Sequence, residues 1–197
     1  MKPNEIIEIF KDNGKRVFNL AEYSAIANKP NKYSSLILAK NKNVKRIEGG
    51  KFYIIGANIY EIASNIIYPS YVSLFSALRY YNLTTQTFNT IFVLSPKSHK
   101  TIEVEGYKIK FIKIAKDKVF GYFNRDGIFI ASIEKAIVDC VYFNLPEEYI
   151  KRALIEAKNI DYKKLFLYAY LMKSKVLLLR LSRIIKEEDE EKAFDIS

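Results

Sequence analysis

The chain has 197 residues with 32 Lys+Arg against 22 Asp+Glu, a formal charge of +10, and 49% hydrophobic residues that include 15 Tyr and 13 Phe. This composition excludes intrinsic disorder for most of the chain and allows roughly 70% of the unfolded surface to be buried, in one domain or two small ones. The longest apolar run lies between Lys164 and Lys173, far short of the ~20 residues that span a bilayer, and the start Met1-Lys-Pro-Asn-Glu has no apolar stretch ahead of a cleavage site. A cytoplasmic protein with no membrane partner is expected. One cysteine, Cys140, and one histidine, His99, leave neither a disulfide nor the usual zinc motifs, so no metal and no cofactor are expected.

The charge is unevenly spread. Residues 1–57 hold eleven Lys/Arg against five Asp/Glu, a net of +6, and residues 151–186 hold ten against two. The run Glu187-Glu-Asp-Glu-Glu191 then reads as a solvated acidic tail. Dense positive charge on a compact element points to a polyanionic partner.

In chain order, Pro3 suits a first helical turn, and Ile6, Ile7 and Phe10 repeat at helical spacing until Asn13-Gly14. After a short extended Arg16-Val-Phe18, Asn19 caps a second helix with Glu22 bonding back to it. Lys29-Pro30 ends that helix, and a third runs from Asn31 to about Asn41. Two short helices across a tight turn form a helix-turn-helix. Centring the third helix's core face on Ile37 places Lys32, Ser35, Ala39 and Lys42 outward, small residues beside cations. Val44 to Ile55 then reads as two strands around Gly49-Gly50, with a type I′ turn expected and Lys45, Arg46 and Lys51 on its flanks. Three helices and a basic hairpin predict a winged helix over residues 1–57.

Residues 58–197 predict a larger α+β domain. Ile59 to Ile67 reads as a short helix, Pro69-Ser70 as the cap of another through Tyr81, and Thr90 to Leu94 as a buried strand. Glu105-Gly106 and Asn124 to Gly127 read as hairpin turns. Ser132 caps an apolar helix holding Cys140, and helices follow from about Pro146, Asp161 and Ser174.

Blocks of this region carry a resemblance. Pro69-Ser-Tyr-Val-Ser-Leu-Phe-Ser-Ala-Leu-Arg-Tyr-Tyr-Asn-Leu-Thr84, Asn89-Thr-Ile-Phe-Val93, Phe120-Gly-Tyr122 and Ile130-Ala-Ser-Ile-Glu-Lys-Ala-Ile-Val-Asp139, with Arg46 and Gly50-Lys-Phe-Tyr53 ahead of them, resemble the AbiEi-type antitoxins of abortive-infection (type IV) toxin–antitoxin systems. The resemblance runs from the amino terminus to about residue 143; where the family has proline in Ser-Pro-Glu-Lys, this chain has Ile133. It implies a transcriptional autorepressor that binds inverted repeats in operator DNA. It also implies a nucleotidyltransferase-like toxin as functional partner, one the antitoxin need not bind stably.

Candidate chemistry is sparse. Glu134 and Asp139 are about 140° apart on a helix, Glu134 suits the helix dipole, and no Gly-x-x-x-x-Gly-Lys loop occurs. His99 reads as an exposed loop residue, Cys140 as core, and Tyr80, Tyr81, Tyr168 and Tyr170 as core aromatics. No catalytic residues are assigned and the protein is not expected to be an enzyme. The DNA-binding set is Lys29, Asn31, Lys32, Ser35, Lys42, Lys45, Arg46 and Lys51. The alternative is a winged-helix regulator whose carboxyl-terminal domain senses a small ligand.

Overall fold

The structure, a computed structural model, describes residues 2–85 and 89–194, and side chains as far as residue 188. It is mixed α+β: nine α-helices and two sheets among the described residues. Helix α1 (Pro3–Asp12), strand β1 (Val17–Asn19) and helices α2 (Leu20–Ala27) and α3 (Asn31–Lys40) precede the hairpin β2 (Val44–Glu48) and β3 (Lys51–Ile54). These three strands form one antiparallel sheet in the order β1-β3-β2.

Local chemistry sets these ends as expected. Asn19 Oδ1 accepts from the Glu22 amide at 2.9 Å while the Glu22 carboxylate accepts from the Asn19 amide at 2.9 Å, satisfying two helix-end donors. Asn28, at φ 51°, closes α2 in the left-handed region ahead of Pro30. The hairpin turn differs from expectation. Only Gly50 takes positive φ (72°), so type I′, which needs it at both central residues, does not form, and a bulge lies between Arg46 and Glu48.

Strand alternation divides the small sheet between two cores. Phe18 and Phe52 are cross-strand partners facing the helices, where they join Ile6, Ile7, Phe10, Tyr23, Leu38, Val44 and Ile54. Phe10 stacks on Phe18 at 4.5 Å, and each such ring, fully buried, stabilises by about 1.5–3 kcal/mol. Val17 and Tyr53, one residue along each strand, face the other way and belong to the core of the larger unit.

That unit is built on a six-stranded mixed sheet, β6-β7-β5-β4-β9-β8. Its strands are β4 (Tyr71–Val72), β5 (Thr90–Ser95), β6 (Ile102–Val104), β7 (Tyr107–Lys113), β8 (Tyr122–Arg125) and β9 (Ile128–Ala131). Glu105 and Gly106 both take positive φ, forming the hairpin turn expected there, as do Asp126 and Gly127; the second turn is shorter than the expected Asn124 to Gly127, because Asn124 and Arg125 belong to β8. Helices α4 (Ile59–Ser64), α5 (Leu74–Tyr80), α6 (Ile133–Tyr142), α7 (Glu147–Glu156), α8 (Tyr162–Leu171) and α9 (Lys175–Phe194) complete it, with α5, α7, α8 and α9 packed on α6.

Two expectations are corrected here. Pro69-Ser70 does not cap a helix. Buried Tyr71 and Val72 form a two-residue strand pairing Leu94, Val93 and Ile130, and α5 starts only after Ser73. A strand this short has no periodicity to read. The run from Glu187 is not a solvated tail either: α9 continues through it, Glu187 pairs with Lys151 at 3.1 Å, and Glu188 is buried. The side chains of residues 189–191 lie outside the described set.

Candidate nucleic-acid interface

Helix α3 is phased by Ser34 and Leu38, which are 0% and 2% exposed and lie one turn apart. The expected phase, centred on Ile37, is therefore off by one residue, or about 100°. A small polar residue, Ser34, occupies the inner face with Leu38, and two large apolar residues, Tyr33 and Leu36, lie outward. Tyr33 (52% exposed), Leu36 (58%), Lys32, Ala39 and Lys40 form the outer surface. Ser35 turns instead into a cleft of about 160 Å³ shared with Ala39, Arg46 and Phe52. Lys40 and the outward Leu36 were missed; the i, i+4 pair Ser34/Leu38 was the signal that could have found them.

The remaining expected residues divide into two groups. Asn31 opens α3 and is exposed, Lys29 sits in the preceding turn with its ammonium 5.9 Å from the Tyr33 ring centre, and Lys42 is exposed between α3 and β2. Arg46, exposed on the α3 side of β2, donates from Nε to the Glu48 carbonyl at 3.4 Å. These cations lie on or beside α3. Lys45 and Lys51 do not.

Lys45 is the cross-strand partner of Tyr53 and shares its face, away from α3. Its Nζ meets Glu105 Oε1, in the β6–β7 turn, at 2.7 Å, and the Tyr53 hydroxyl donates to the same oxygen. Lys45, followed by Tyr53, holds the Glu105 carboxyl below its ordinary range. The bulge puts Glu48 opposite Lys51, where Glu48 Oε1 accepts from Lys51 at 3.0 Å and from His99 Nε2 at 2.9 Å. Burial pushes the Glu48 carboxyl up, but these two bonds outweigh it and the group lies below its ordinary value. His99 is thus not an exposed loop residue. It is half-buried, packs 4.6 Å from the Phe111 ring centre, and ties the loop after β5 to the small hairpin. Below the small sheet, Glu61 is buried and accepts from the Arg16 amide at 3.0 Å.

The second basic concentration lies on α7, α8, α9 and the segments between them. Five of its cations bind other elements: Lys151 to Glu187 (3.1 Å), Lys164 to Glu134 (3.0 Å), Lys173 to Asp117 (3.1 Å), and Arg180 and Arg183 to Glu147 (2.8 and 2.5 Å). Tyr170 is 70% exposed rather than core, beside the outward residues Leu167, Leu171, Val176 and Leu179. Tyr168, by contrast, is half-buried against Phe120.

The most chemically loaded cluster is sealed from solvent. Lys135 and Asp139, one turn apart on α6 and fully buried, form an ion pair; Asp139 also accepts from Ser73 Oγ at 2.7 Å and Tyr71 at 3.2 Å. Burial pulls the Lys135 amine down and pushes the Asp139 carboxyl up, each only partly offset by the other. Glu134 points elsewhere, to Ser132 and Lys164, as its spacing predicted. Cys140 is buried, as expected. Among the described residues no cluster of His, Cys, Asp and Glu is placed to hold a metal ion, and no helix is long and apolar enough to cross a membrane.

The chain matches no protein-family model and no curated protein.

Proposed function

We propose that residues 1–57 are a winged helix that binds duplex DNA and that the chain is a transcriptional autorepressor. The observation that carries this reading is the outer surface of α3, where Lys32 and Lys40 flank the helix and Arg46 shares a cleft with Ser35 and Ala39 on the same side of the small sheet. Cations on both margins neutralise phosphates, and the outward Tyr33 and Leu36 between them supply apolar contact in a groove. Lys29, Asn31 and Lys42 extend the contact, whereas Lys45 and Lys51 act by fixing the hairpin. The resemblance to AbiEi-type antitoxins adds the second half of the proposal. Residues 58–197 counteract a nucleotidyltransferase-like toxin, operator DNA with inverted repeats is the nucleic-acid partner, and no catalytic step is assigned to this chain.

Titrating the full chain against the DNA upstream of its own gene tests the first half. Replacing Lys32 and Lys40 together by Ala should reduce the slope of log K against log salt by about two, because each lost phosphate contact removes roughly one. An unchanged slope rejects the assignment of α3. Co-expression with an adjoining nucleotidyltransferase-like reading frame tests the second half. Growth arrest that this chain does not relieve rejects the antitoxin role and leaves the DNA-binding role standing.

A further inference from the structure

The loop after β5 carries an unassigned group of cations, and the hairpin's own bonds place it. Lys97 and Lys100 are exposed on either side of His99, whose ring nitrogen donates to Glu48 at the end of β2. The loop is set at its base as well, where Ser95 Oγ accepts from the Lys97 amide at 3.2 Å and donates to the Pro69 carbonyl at 2.7 Å. With successive Cα atoms about 3.8 Å apart, Lys100 cannot lie far from the hairpin that His99 touches. Lys113 adds a third cation: it pairs in register with Ser95 and lies on the same face of β7 as Phe111, against which His99 packs.

Nearby carboxylates do not cancel this charge. Glu48 is shared by Lys51 and His99, and Glu105 is held by Lys45. Glu103 pairs in register with Lys108, whose side chain lies on the opposite face of β7 from Phe111 and Lys113. Among the described residues no carboxylate is within ion-pair distance of Lys97, Lys100 or Lys113. A line of exposed cations therefore follows the loop tethered to the end of β2 and reaches Lys113 at the end of β7.

We propose that Lys97, Lys100 and Lys113 are a second set of DNA-phosphate contacts, supplied by the larger unit and aligned with the hairpin by the His99–Glu48 bond. The inference rests on the DNA-binding reading of α3 but extends the footprint beyond residues 1–57. The role of the Glu48 bulge follows: it turns a carboxylate out of the α3 side and uses it to hold the loop.

The test uses the full chain and a labelled 30-base-pair duplex of arbitrary sequence, since phosphate contacts are sequence-independent. The triple variant Lys97→Gln, Lys100→Gln, Lys113→Gln should keep the wild-type melting temperature and lose about two to three units of salt slope, at roughly 0.9 per phosphate. The control Lys158→Gln, Lys163→Gln, which removes two exposed cations outside this line, should keep the wild-type slope. An unchanged slope in the triple variant overturns the inference, and so does an equal loss in the control, which would mark a bulk-charge effect. If the triple variant is unchanged while Lys32→Ala, Lys40→Ala still lowers the slope, the α3 reading survives alone. If the wild-type chain fails to bind duplex DNA, both fall.

Discussion

The two basic regions of this chain use their charge differently. In the amino-terminal one, cations on the outer side of α3 and on the Arg46 side of β2 remain at the surface, while Lys45 and Lys51, equally basic in sequence, are bound to Glu105 and Glu48. On α8 and α9 the reverse balance holds: Lys164, Lys173, Arg180 and Arg183 tie the helices to the rest of the unit, and the outward face is dominated by large apolar residues. A count of lysines finds both regions. Only the positions of nearby carboxylates separate cations left at the surface from cations used as internal clamps.

The sharpest way to probe the carboxyl-terminal clamps is from below. Lys135 touches Met172 at the end of α8, and replacing it with Met leaves the buried Asp139 without its cation. We expect a loss of about 3–5 kcal/mol in urea unfolding, the typical cost of stranding one charge of a buried pair. The double variant Lys135→Met, Asp139→Leu should recover most of it, and failure to recover would mean packing, not charge, dominates there.

At the surface the effects shrink. Glu147→Gln removes the acceptor that Arg180, and then Arg183, holds below the ordinary carboxyl range. About 1 kcal/mol is expected after allowance for solvent screening, read as a lower urea midpoint. A change above ~3 kcal/mol would place this pair among the buried ones.

In the amino-terminal region the comparison predicts an asymmetry between neighbours. Arg46→Ala should lower the salt slope of DNA binding by about one, and Lys45→Ala should leave it near the wild-type value. Equal slopes for the two variants would show that the Lys45–Glu105 bond opens on DNA.

The smallest effect concerns pH. Glu48 lies below its ordinary value of 4.5, so its contribution to stability is full above that value and is lost as pH falls through its folded value. Glu48→Gln should remove that part of the acid-induced fall in melting temperature. A variant as acid-sensitive as wild type between pH 5 and the strongly acidic limit, roughly pH 2, would assign the effect to other carboxylates.

Much of the local structure was legible in the residues. The capping box of Asn19 and Glu22, the break at Pro30, and the hairpin turns at Glu105-Gly106 and within Asn124 to Gly127 all rest on interactions among neighbours in sequence, and all formed in the expected places. The misreadings share one character. Ser34 faces inward, Tyr71 and Val72 are a strand, His99 is a tether, and Tyr170 is exposed because of what lies across the fold, not along the chain. The candidate site shows the same division. Outward Lys32 could be proposed from helical spacing, but Lys40 and Leu36 required the true phase, and Lys97, Lys100 and Lys113 required the His99–Glu48 bond across 51 residues.

The sequence by itself determined the excess of positive charge, its two concentrations, and most of the succession of helices and strands, the short strand Tyr71–Val72 apart, because these depend on composition and on contacts within a turn or two. The tertiary structure decided which of those charges remain at the surface. A salt bridge forms only where a distant carboxylate is brought within about 4 Å, and that depends on sheet order, bulge and docking of the small sheet against the large unit, none of which a linear pattern records.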